Sequence, residues 1–152
     1  MELSEQDRRI LRALQRDAAE PIGKLAERLG MAQSTLWRRV QALEGAGVIR
    51  GRVALLDPAK AGCGLMVLVQ VHLADHAEAS VAAFAALVNR CPEILECHAV
   101  TGGSDYQLKV RVPDVAAYEA FMTRSLLRAP FVRNVTSAIV LREIKATTEL
   151  PL

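Results

Sequence analysis

Residues 33–44 carry polar side chains at the spacing of one helical face. Apolar residues in this segment recur at i, i+4 and i+7: Leu36, Val40 and Leu43. At 100° per residue these share one side of a helix, whereas Ser34, Arg38 and Gln41 fall on the opposite side. Thr35 lies on one flank of that polar side and Trp37 on the other. Arginine, glutamine, serine and threonine contact base edges and phosphates in the major groove of DNA. The pattern is therefore typical of a DNA-reading helix, although an ordinary solvent-exposed helix face shares it.

The segments around this helix predict the elements that hold it. Ser4 followed by Asp7 predicts a capping-box-like start to a first helix. A second helix is expected to end at Gly30, because glycine adopts the positive φ that helix ends often need. Beyond the third helix, residues 48–49 and 52–56 predict two short strands of a hairpin. Two helices joined by a tight glycine turn, with a basic second helix and a hairpin after it, indicate a winged helix-turn-helix.

Charge is distributed unevenly along the chain. The net charge is +2, but residues 1–60 carry 11 Lys and Arg against 8 Asp and Glu, whereas residues 61–152 carry 8 against 9. The excess is concentrated in residues 21–60, with 7 basic and 3 acidic side chains. A basic half beside a neutral half suggests that the first half meets a polyanion.

The remainder of the chain predicts a second domain after the small-residue linker at 57–64. Its strands are expected at 65–73, 94–101, 105–112 and 132–145, and its helices at 77–90 and from Asp114 onward. This βαββαβ order predicts a ferredoxin-like antiparallel sheet with both helices on one face. The first strand is apolar on both faces, which favours a sandwiched position or an interface. The helices are expected to bury Val81, Phe84, Ala85, Val88, Val115, Tyr118, Phe121 and Met122.

Composition narrows the class of protein. Apolar residues make up 51% of the chain and charged residues 24%, which predicts a folded globular protein. The apolar run 65–69 is far shorter than the about 20 residues needed to cross a bilayer. The acidic start of the sequence does not resemble a secretory signal. Three cysteines without a CxxC pair argue against a disulfide scaffold or a zinc knuckle. We therefore expect a soluble cytoplasmic protein with no membrane, metal or cofactor partner.

Two blocks of the sequence resemble the Lrp/AsnC (feast/famine) transcriptional regulators of bacteria and archaea. The first block comprises DRRIL at 7–11, KLAERLG at 24–30, RRV at 38–40 and LEGAGVI at 43–49. The second is ECHAVTGGSDY at 96–106, and closing residues IK at 144–145 and TTELPL at 147–152 also fit. Both blocks occur in the right order and spacing, so the resemblance covers nearly the whole chain.

This resemblance implies an α+β protein: a winged helix-turn-helix at 1–50, a hairpin and linker at 51–64, and a ferredoxin-like effector-binding and oligomerisation domain at 65–152. It implies a sequence-specific DNA-binding regulator, not an enzyme, with double-stranded DNA, an amino acid and further copies of the chain as partners. The assembly would be a dimer that associates further, from tetramer to octamer. The DNA-contacting residues would be Ser34, Thr35, Trp37, Arg38, Arg39 and Gln41. Arg39 lies nearer the apolar stripe than Arg38, so we expect it to contact phosphate or a structural ion-pair partner.

By the same resemblance, the effector site lies between dimers and involves Thr101, Gly102, Gly103, Ser104, Asp105 and Thr136. Two adjacent glycines allow backbone N–H groups to turn toward a ligand carboxylate. Asp105 could pair with an α-ammonium group, or it could accept hydrogen bonds from its own turn. The likeness to the leucine-responsive branch and the apolar or small candidates Leu108, Val135 and Ala138 favour leucine, isoleucine, valine or methionine; the three candidates could equally belong to the core.

One departure and two alternatives accompany this interpretation. The family often places Ser or Thr where Ala32 would cap the third helix, and Gln33 or Ser34 could compensate for that loss. A DNA-coating architectural protein with little sequence preference would share the basic helix. A few related proteins are sirohaem decarboxylases, but residues 1–71 contain no histidine. The pair His72 and His76 is a weak metal candidate, as is the group Cys91, Cys97 and His98.

Overall fold

The computed structural model describes residues 2–152, which form two compact units. The N-terminal unit comprises the residues through Ala54 together with Ile144–Leu152. The sheet unit comprises Leu55–Glu143. None of the helices in the described chain is long and apolar enough to span a membrane.

Three helices build the N-terminal unit: α1 (Glu5–Arg16), α2 (Ile22–Leu29) and α3 (Gln33–Gly45). Ser4 and Asp7 form the predicted capping box at the start of α1, and Gly30 ends α2 in the left-handed region with φ of 67°. The three helices are held by one apolar core, which buries Ile10, Leu11, Leu25, Ala26, Leu36, Val40 and Leu43. The helix-turn-helix expected from the sequence is therefore confirmed.

The hairpin predicted after α3 is absent from the described residues. Residues 50–56 form no strand, and every one of them is exposed. Strands at 48–49 and 52–56 would each need a ladder partner, and neither segment pairs with the other in this chain. Val53, Leu55 and Leu56 consequently remain 73–83% exposed.

The sheet unit has the predicted βαββαβ order, with β1 (Leu65–Leu73), α4 (Glu78–Arg90), β2 (Ile94–Ala99), β3 (Tyr106–Val112), α5 (Val115–Phe121) and β4 (Val132–Ile139). The strands lie in the order β2-β3-β1-β4 and all neighbouring pairs are antiparallel. This is the ferredoxin-like arrangement that the sequence predicts. The core lies on one face of the sheet, where strand residues pack with Phe84, Leu87, Tyr118, Phe121 and Leu126.

Several element boundaries and faces differ from the sequence predictions. β4 ends at Ile139, not near residue 145, because its partner β1 begins at Leu65 and offers no ladder beyond the bond from Val140 N–H to the Met66 carbonyl. Leu87, not Ala85, lies on the buried side of α4, since Ala85 falls about 100° away from Phe84. Val115 is also exposed.

A π-helical turn at Met122–Leu126 follows α5 directly. Its wider i to i+5 bond, from Leu127 N–H to the Met122 carbonyl, accompanies burial of both Met122 and Leu126. No pattern in the residues predicted this turn, because residue periodicity does not distinguish a single π-helical turn from an α-helical one.

From the sequence, residues 65–152 are expected to form one domain, whereas in the structure the compact sheet unit ends at Glu143. Residues 144–152 group with the N-terminal unit because their described hydrogen bonds outside the segment go to α1. The boundaries around the linker at 51–64 remain predictions.

Ala32 precedes α3 with φ of −65° and ψ of 137° and supplies no side-chain cap. The extended backbone is the conformation that a serine cap uses, so we expect Ala32→Ser to raise the free energy of unfolding of the N-terminal unit by about 1 kcal/mol. Urea unfolding monitored by circular dichroism measures the change. Ala18→Ser, at an exposed loop position, is the matched control and should change the midpoint little; an equal change in both variants would contradict the capping account.

Candidate DNA-binding and effector sites

The outer face of α3 is free of contacts with the protein core. Ser34, Trp37, Arg38 and Gln41 are exposed, with Trp37 57% exposed, and Thr35 is half-buried. Leu36, Val40 and Leu43, on the opposite side, are buried in the core. The structure therefore brings together the polar side chains that the sequence placed on one face.

The first turn of α3 lacks the side-chain cap that many helices carry. Neither Gln33 nor Ser34 makes a side-chain hydrogen bond within residues 2–152, so the compensation considered from the sequence is not found. The first N–H groups of a helix have no intrahelical acceptor and carry the positive end of the helix dipole. An uncapped helix start on an exposed face is suited to bind a phosphate group.

Arg39 is held in the N-terminal unit by an ion pair. Its Nη1 lies 2.9 Å from Asp7 Oδ1, and Asp7 also accepts hydrogen bonds from the backbone N–H and hydroxyl of Ser4. The hydrogen bond from the Ser4 side chain, followed by that from Arg39, holds the pKa of the buried Asp7 carboxyl below its usual range. Of the two roles expected for Arg39, the geometry provides the structural ion pair, which joins α1 to α3.

Glu44 joins the end of α3 to the segment that follows it. The Gln41 amide donates to Glu44 Oε2 at 3.0 Å, and Arg52 Nη2 lies 2.9 Å from Glu44 Oε1. Among residues 2–152 the amide oxygen of Gln41 has no hydrogen-bond partner, so it remains an acceptor on the exposed face.

Several other basic side chains of the N-terminal unit have partners within the protein. Arg28 pairs with Glu20, and Arg9 donates to the Leu29 carbonyl. Arg38, Lys24 and Arg50, by contrast, are exposed and make no side-chain hydrogen bond or ion pair among the described residues. Arg38 is therefore the unpaired cation at the centre of the exposed face of α3.

The loop between β2 and β3 contains the five consecutive candidate effector residues. Thr101, Gly102 and Gly103 are exposed at its tip, and Gly102 has φ of 113°, a conformation that other residues rarely adopt. The loop is closed by Val100 N–H donating to the Asp105 carbonyl. Asp105 N–H in turn donates to the Val71 carbonyl, so the loop is anchored on the central strand β1.

The Asp105 carboxylate bridges β1 and the residues after it. Oδ2 accepts from Leu73 N–H at 2.8 Å, and Oδ1 lies 2.8 Å from His76 Nε2. These two hydrogen bonds, that from His76 first, lower the pKa of Asp105, so it is a carboxylate at neutral pH. One expectation from the sequence is that the Asp105 side chain accepts hydrogen bonds from its own turn. In the structure its hydrogen-bond partners are instead Leu73 and His76, about 30 residues earlier in the chain.

His72 and His76, considered from the sequence only as weak metal candidates, lie against this loop. His72 Nε2 is hydrogen-bonded to the Gly103 carbonyl, and His72 Nδ1 is buried and has no hydrogen-bond partner in the described part of the chain. His76 contacts Asp105 as described above. The pairing of β1 with β3 brings both histidines to the loop, and no sequence spacing could show this contact. The described residues contain no cluster of three or more His, Cys, Asp or Glu side chains suited to a metal ion.

Thr136 and the strand that follows the loop lie on opposite sides of β1 in a single copy of the chain. Thr136 lies on β4 opposite Gln70 of β1, and Gln70 is opposite Gln107 of β3. Two strand spacings, about 10 Å, therefore separate Thr136 from the strand that carries the loop. Thr136 and Ala138 are exposed on the sheet face that lacks helices.

The three apolar or small residues considered for the effector side chain lie on opposite faces of the sheet. Leu108 is buried in the core, and Val135 packs against it. Ala138, on the opposite face, is exposed. Leu108 and Val135 therefore follow the core alternative that the sequence left open.

Comparison with known protein families assigns both halves of the chain. Residues 66–150 match the Lrp/AsnC ligand binding domain, and residues 3–50 match a winged helix-turn-helix DNA-binding domain. The chain belongs to the Lrp/AsnC family. It is therefore a DNA-binding transcriptional regulator of the Lrp/AsnC type, as the sequence blocks at 7–49 and 96–106 predicted, and the family is one of transcription regulators rather than enzymes.

Individual relatives cover the chain almost completely. It is 35% identical over 150 residues to the glutamate uptake regulatory protein of Zymomonas mobilis, covering 99% of this chain and 91% of that protein. It is 38% identical over 144 residues to the leucine-responsive regulatory protein of Salmonella typhimurium, covering 95% and 88%. A transcriptional regulator from Neisseria meningitidis, solved as an L-Met complex, superposes with a TM-score of 0.95 at 37% identity, covering 99% and 97%.

The Asp7–Arg39 pair makes the stability of the N-terminal unit pH-dependent. Because the folded pKa of Asp7 lies below the unfolded value of about 3.9, its contribution is present above pH 4 and is lost as the pH falls through the folded pKa. Asp7→Asn should cost about 2 kcal/mol at pH 7, since it leaves Arg39 without its charged partner. Urea midpoints at pH 7 and pH 3 measure this, and the difference should shrink at pH 3. Asp17→Asn, at an exposed position of the same unit, should show neither effect; a pH-independent loss in Asp7→Asn would contradict the assignment.

Proposed function

We propose that this regulator binds a small amino acid at the loop 101–105, and that the bound effector changes its assembly and its occupancy of DNA. The observation that carries the proposal is the ionised Asp105 carboxylate, fixed by Leu73 and His76 beside an exposed glycine turn. A carboxylate has about four acceptor positions, so it can receive an α-ammonium group in addition to these two donors. The N–H groups of Gly102 and Gly103 would donate hydrogen bonds to the effector carboxylate.

A second copy of the chain completes this site. In one copy β1 separates Thr136 from β3, the strand that follows the loop, and we propose that a ligand bound at the loop meets Thr136 of a neighbouring copy. An effector that binds at such a junction favours the assembly that contains the junction over the assembly that lacks it. This arrangement couples effector binding to oligomeric state without any change inside a single copy.

Exposed apolar surface supports self-association from dimer to larger assemblies, up to an octamer. The sheet face without helices carries the half-buried apolar side chains of Met66 and Leu68. The segment after α3 exposes Val53, Leu55 and Leu56, each at least 73% exposed. Apolar surface of this kind, left open in a single chain, marks protein interfaces. An unpaired segment with this composition is also a candidate strand for pairing with a second copy.

The effector is proposed to be an aliphatic amino acid, with leucine, isoleucine, valine and methionine as the candidates. The relative from Neisseria meningitidis was solved with L-Met, and the relative from Salmonella typhimurium is leucine-responsive by name. The glutamate uptake regulator is about as similar by sequence, so identity alone does not choose the effector. The small side chain of Ala138 beside Thr136 suits an aliphatic ligand.

For DNA recognition we propose that α3 enters the major groove. Arg38 and the free amide oxygen of Gln41 would contact base edges, Ser34 and Thr35 would contact phosphates near the uncapped helix start, and Trp37 would pack on the sugar–phosphate edge. Arg39 would support α3 through Asp7. A dimer would place two such helices in successive major grooves, which predicts an approximately palindromic operator. As a DNA-binding regulator, the protein is proposed to be cytoplasmic.

Thermal denaturation with each of the twenty amino acids tests the effector site. A ligand at 100 times its Kd stabilises the folded state by about 2.7 kcal/mol, which corresponds to a rise in Tm of about 5–10 °C for a chain of this size. We expect the rise with aliphatic amino acids only, and its loss in Asp105→Ala. Asp105→Asn separates charge from structure, because the amide oxygen can still accept from Leu73 N–H. Asp57→Asn, in an exposed turn outside the loop, should retain the response. The absence of a rise with all twenty amino acids in the unaltered protein would refute the proposal.

The salt dependence of DNA binding tests the role of α3. Arg38→Ala should weaken binding to a duplex and, if Arg38 contacts a phosphate, reduce the slope of log K against log salt by about 1. If it instead contacts guanine, it should relax sequence preference at one position at a cost of about 1–3 kcal/mol. Arg128→Ala removes an exposed arginine from the sheet unit and should have no effect on either quantity. An unchanged affinity in Arg38→Ala would contradict the proposed face, and equal affinity for all duplex sequences would favour the architectural alternative.

A further inference from the structure

The last residues of the chain lie on α1 of the N-terminal unit. Residues 144–152 form neither helix nor strand, yet they group with this unit rather than with the sheet unit that precedes them. Side chains and backbone groups of residues 149–152 make the contacts described below. We refer to residues 149–152 as the clasp segment.

Gln15 is the centre of the contact. Its amide oxygen accepts from Leu150 N–H at 2.6 Å, and its amide nitrogen donates to the Leu150 carbonyl at 3.2 Å. A side-chain amide that bonds both backbone groups of one residue fixes the position and the direction of an extended segment, in the way that a neighbouring strand would. This pair of bonds is specific for backbone and does not depend on the side chain of Leu150, which is 65% exposed.

Arginines one helical turn apart bind the clasp segment on either side of Gln15. Arg12 Nε donates to the Leu152 carbonyl at 2.6 Å, and Arg16 Nε lies 3.0 Å from Glu149 Oε1. Arg12 is oriented by a second contact, its ion pair with Glu5 at 3.0 Å. Arg12, Gln15 and Arg16 follow the i, i+3, i+4 spacing of one helix face, so all three side chains reach the same segment.

An apolar contact accompanies these polar ones. The Leu152 side chain is half-buried and packs against the core of the N-terminal unit, whereas Leu150 faces solvent. The segment is therefore anchored by one apolar side chain and by backbone hydrogen bonds along α1. Its contacts do not use Ser34, Arg38 or Gln41 of α3, so DNA can occupy that face while the segment is bound.

The clasp segment changes how the two units are connected. The chain passes from the N-terminal unit to the sheet unit at Ala54–Leu55 and returns at Glu143–Ile144, after β4. If residues 149–152 were free, the exposed segment 50–56 alone would connect the units. With the segment bound, a second connection runs from β4 to α1.

We propose that the clasp segment is a releasable tether, which docks on Arg12, Gln15 and Arg16 and restricts the motion of the N-terminal unit relative to the sheet unit. Its polar contacts are largely solvent-exposed, and exposed ion pairs contribute little to stability, so the segment can detach without unfolding the unit. Docking of a segment already attached to the chain is favoured by its high effective concentration, which explains how few contacts suffice. Two connections restrict the orientations of a unit more than one connection does.

Hydrogen exchange at a single amide tests the docking. In the full chain, the Leu150 N–H is protected by Gln15, and Gln15→Leu should increase its exchange rate about tenfold, because the variant loses the acceptor of this N–H together with the donor to the Leu150 carbonyl. Gln6→Leu, the same substitution on the same helix away from the clasp segment, is the matched control and should leave the rate unchanged. Equal exchange rates at Leu150 in the unaltered protein and in Gln15→Leu would overturn the proposal.

Trp37 provides an independent readout of the tether, since it is the only tryptophan in the sequence and lies on α3. Time-resolved fluorescence anisotropy of the full chain should show a larger fast-decaying component in Gln15→Leu than in Gln6→Leu, because the N-terminal unit moves more freely on one connection. Faster exchange at Leu150 with an unchanged anisotropy decay would show docking without restraint and would overturn the tether.

A second variant distinguishes loss of docking from a change in the α1 helix that Gln15→Leu could itself cause. Leu152→Asp removes the apolar anchor from the clasp segment without altering α1, and it should reproduce both changes while the helical circular dichroism signal stays constant. Failure of Leu152→Asp to reproduce them would overturn the proposal. None of these measurements requires an amino-acid effector or DNA, so their outcome is independent of the proposed function.

Discussion

The pairing of β1 with strands on both sides is the constraint on which the sheet unit depends. β1 lies between β3 and β4, and Val67, Val69, Val71 and Leu73 on its inner face are buried to at least 98%. A register shift of one residue would turn these side chains away from the helices, so the register is strongly determined by burial. The same register sets which residues of β1 meet the loop before β3: the Val71 carbonyl and the Leu73 N–H bind Asp105, and His72 binds Gly103.

This constraint gives the loop 101–105 a rigid base and an open tip. The loop residues nearest β3 are tied to β1, whereas Thr101, Gly102 and Gly103 remain exposed. A site with a fixed carboxylate and free backbone N–H groups suits a zwitterion, because the two charged ends of an amino acid need opposite partners at a fixed separation. Under the proposed function, Thr136 on β4 would reach the bound effector from a second copy.

The N-terminal unit uses its charges in two ways. Asp7 and Arg39 connect α1 to α3 beneath the exposed face, and Glu44 connects α3 to Arg52. Arg38, Lys24 and Arg50 have no such partners among the described residues and remain available to a polyanion. The basic excess of residues 21–60 thus divides into cations that hold the unit together and cations that face outward, a division that net charge alone does not reveal.

The sequence by itself determined the helix-turn-helix, the βαββαβ order, the family and the polar face of α3. These depend on periodicity, caps and motif spacing, which are local properties of the chain: Leu36, Val40 and Leu43 repeat with the helical period, and Ser4 lies three residues before Asp7. The tertiary structure alone decided the partners of Asp105, the ion pair of Arg39, the contact of residues 149–152 with Gln15, and the absence of a hairpin after α3. Each of these depends on residues far apart in the chain, or on a strand partner that one chain does not supply, and no local pattern encodes either. The early end of β4 has the same origin, because a strand continues only as far as the neighbouring strand offers hydrogen bonds.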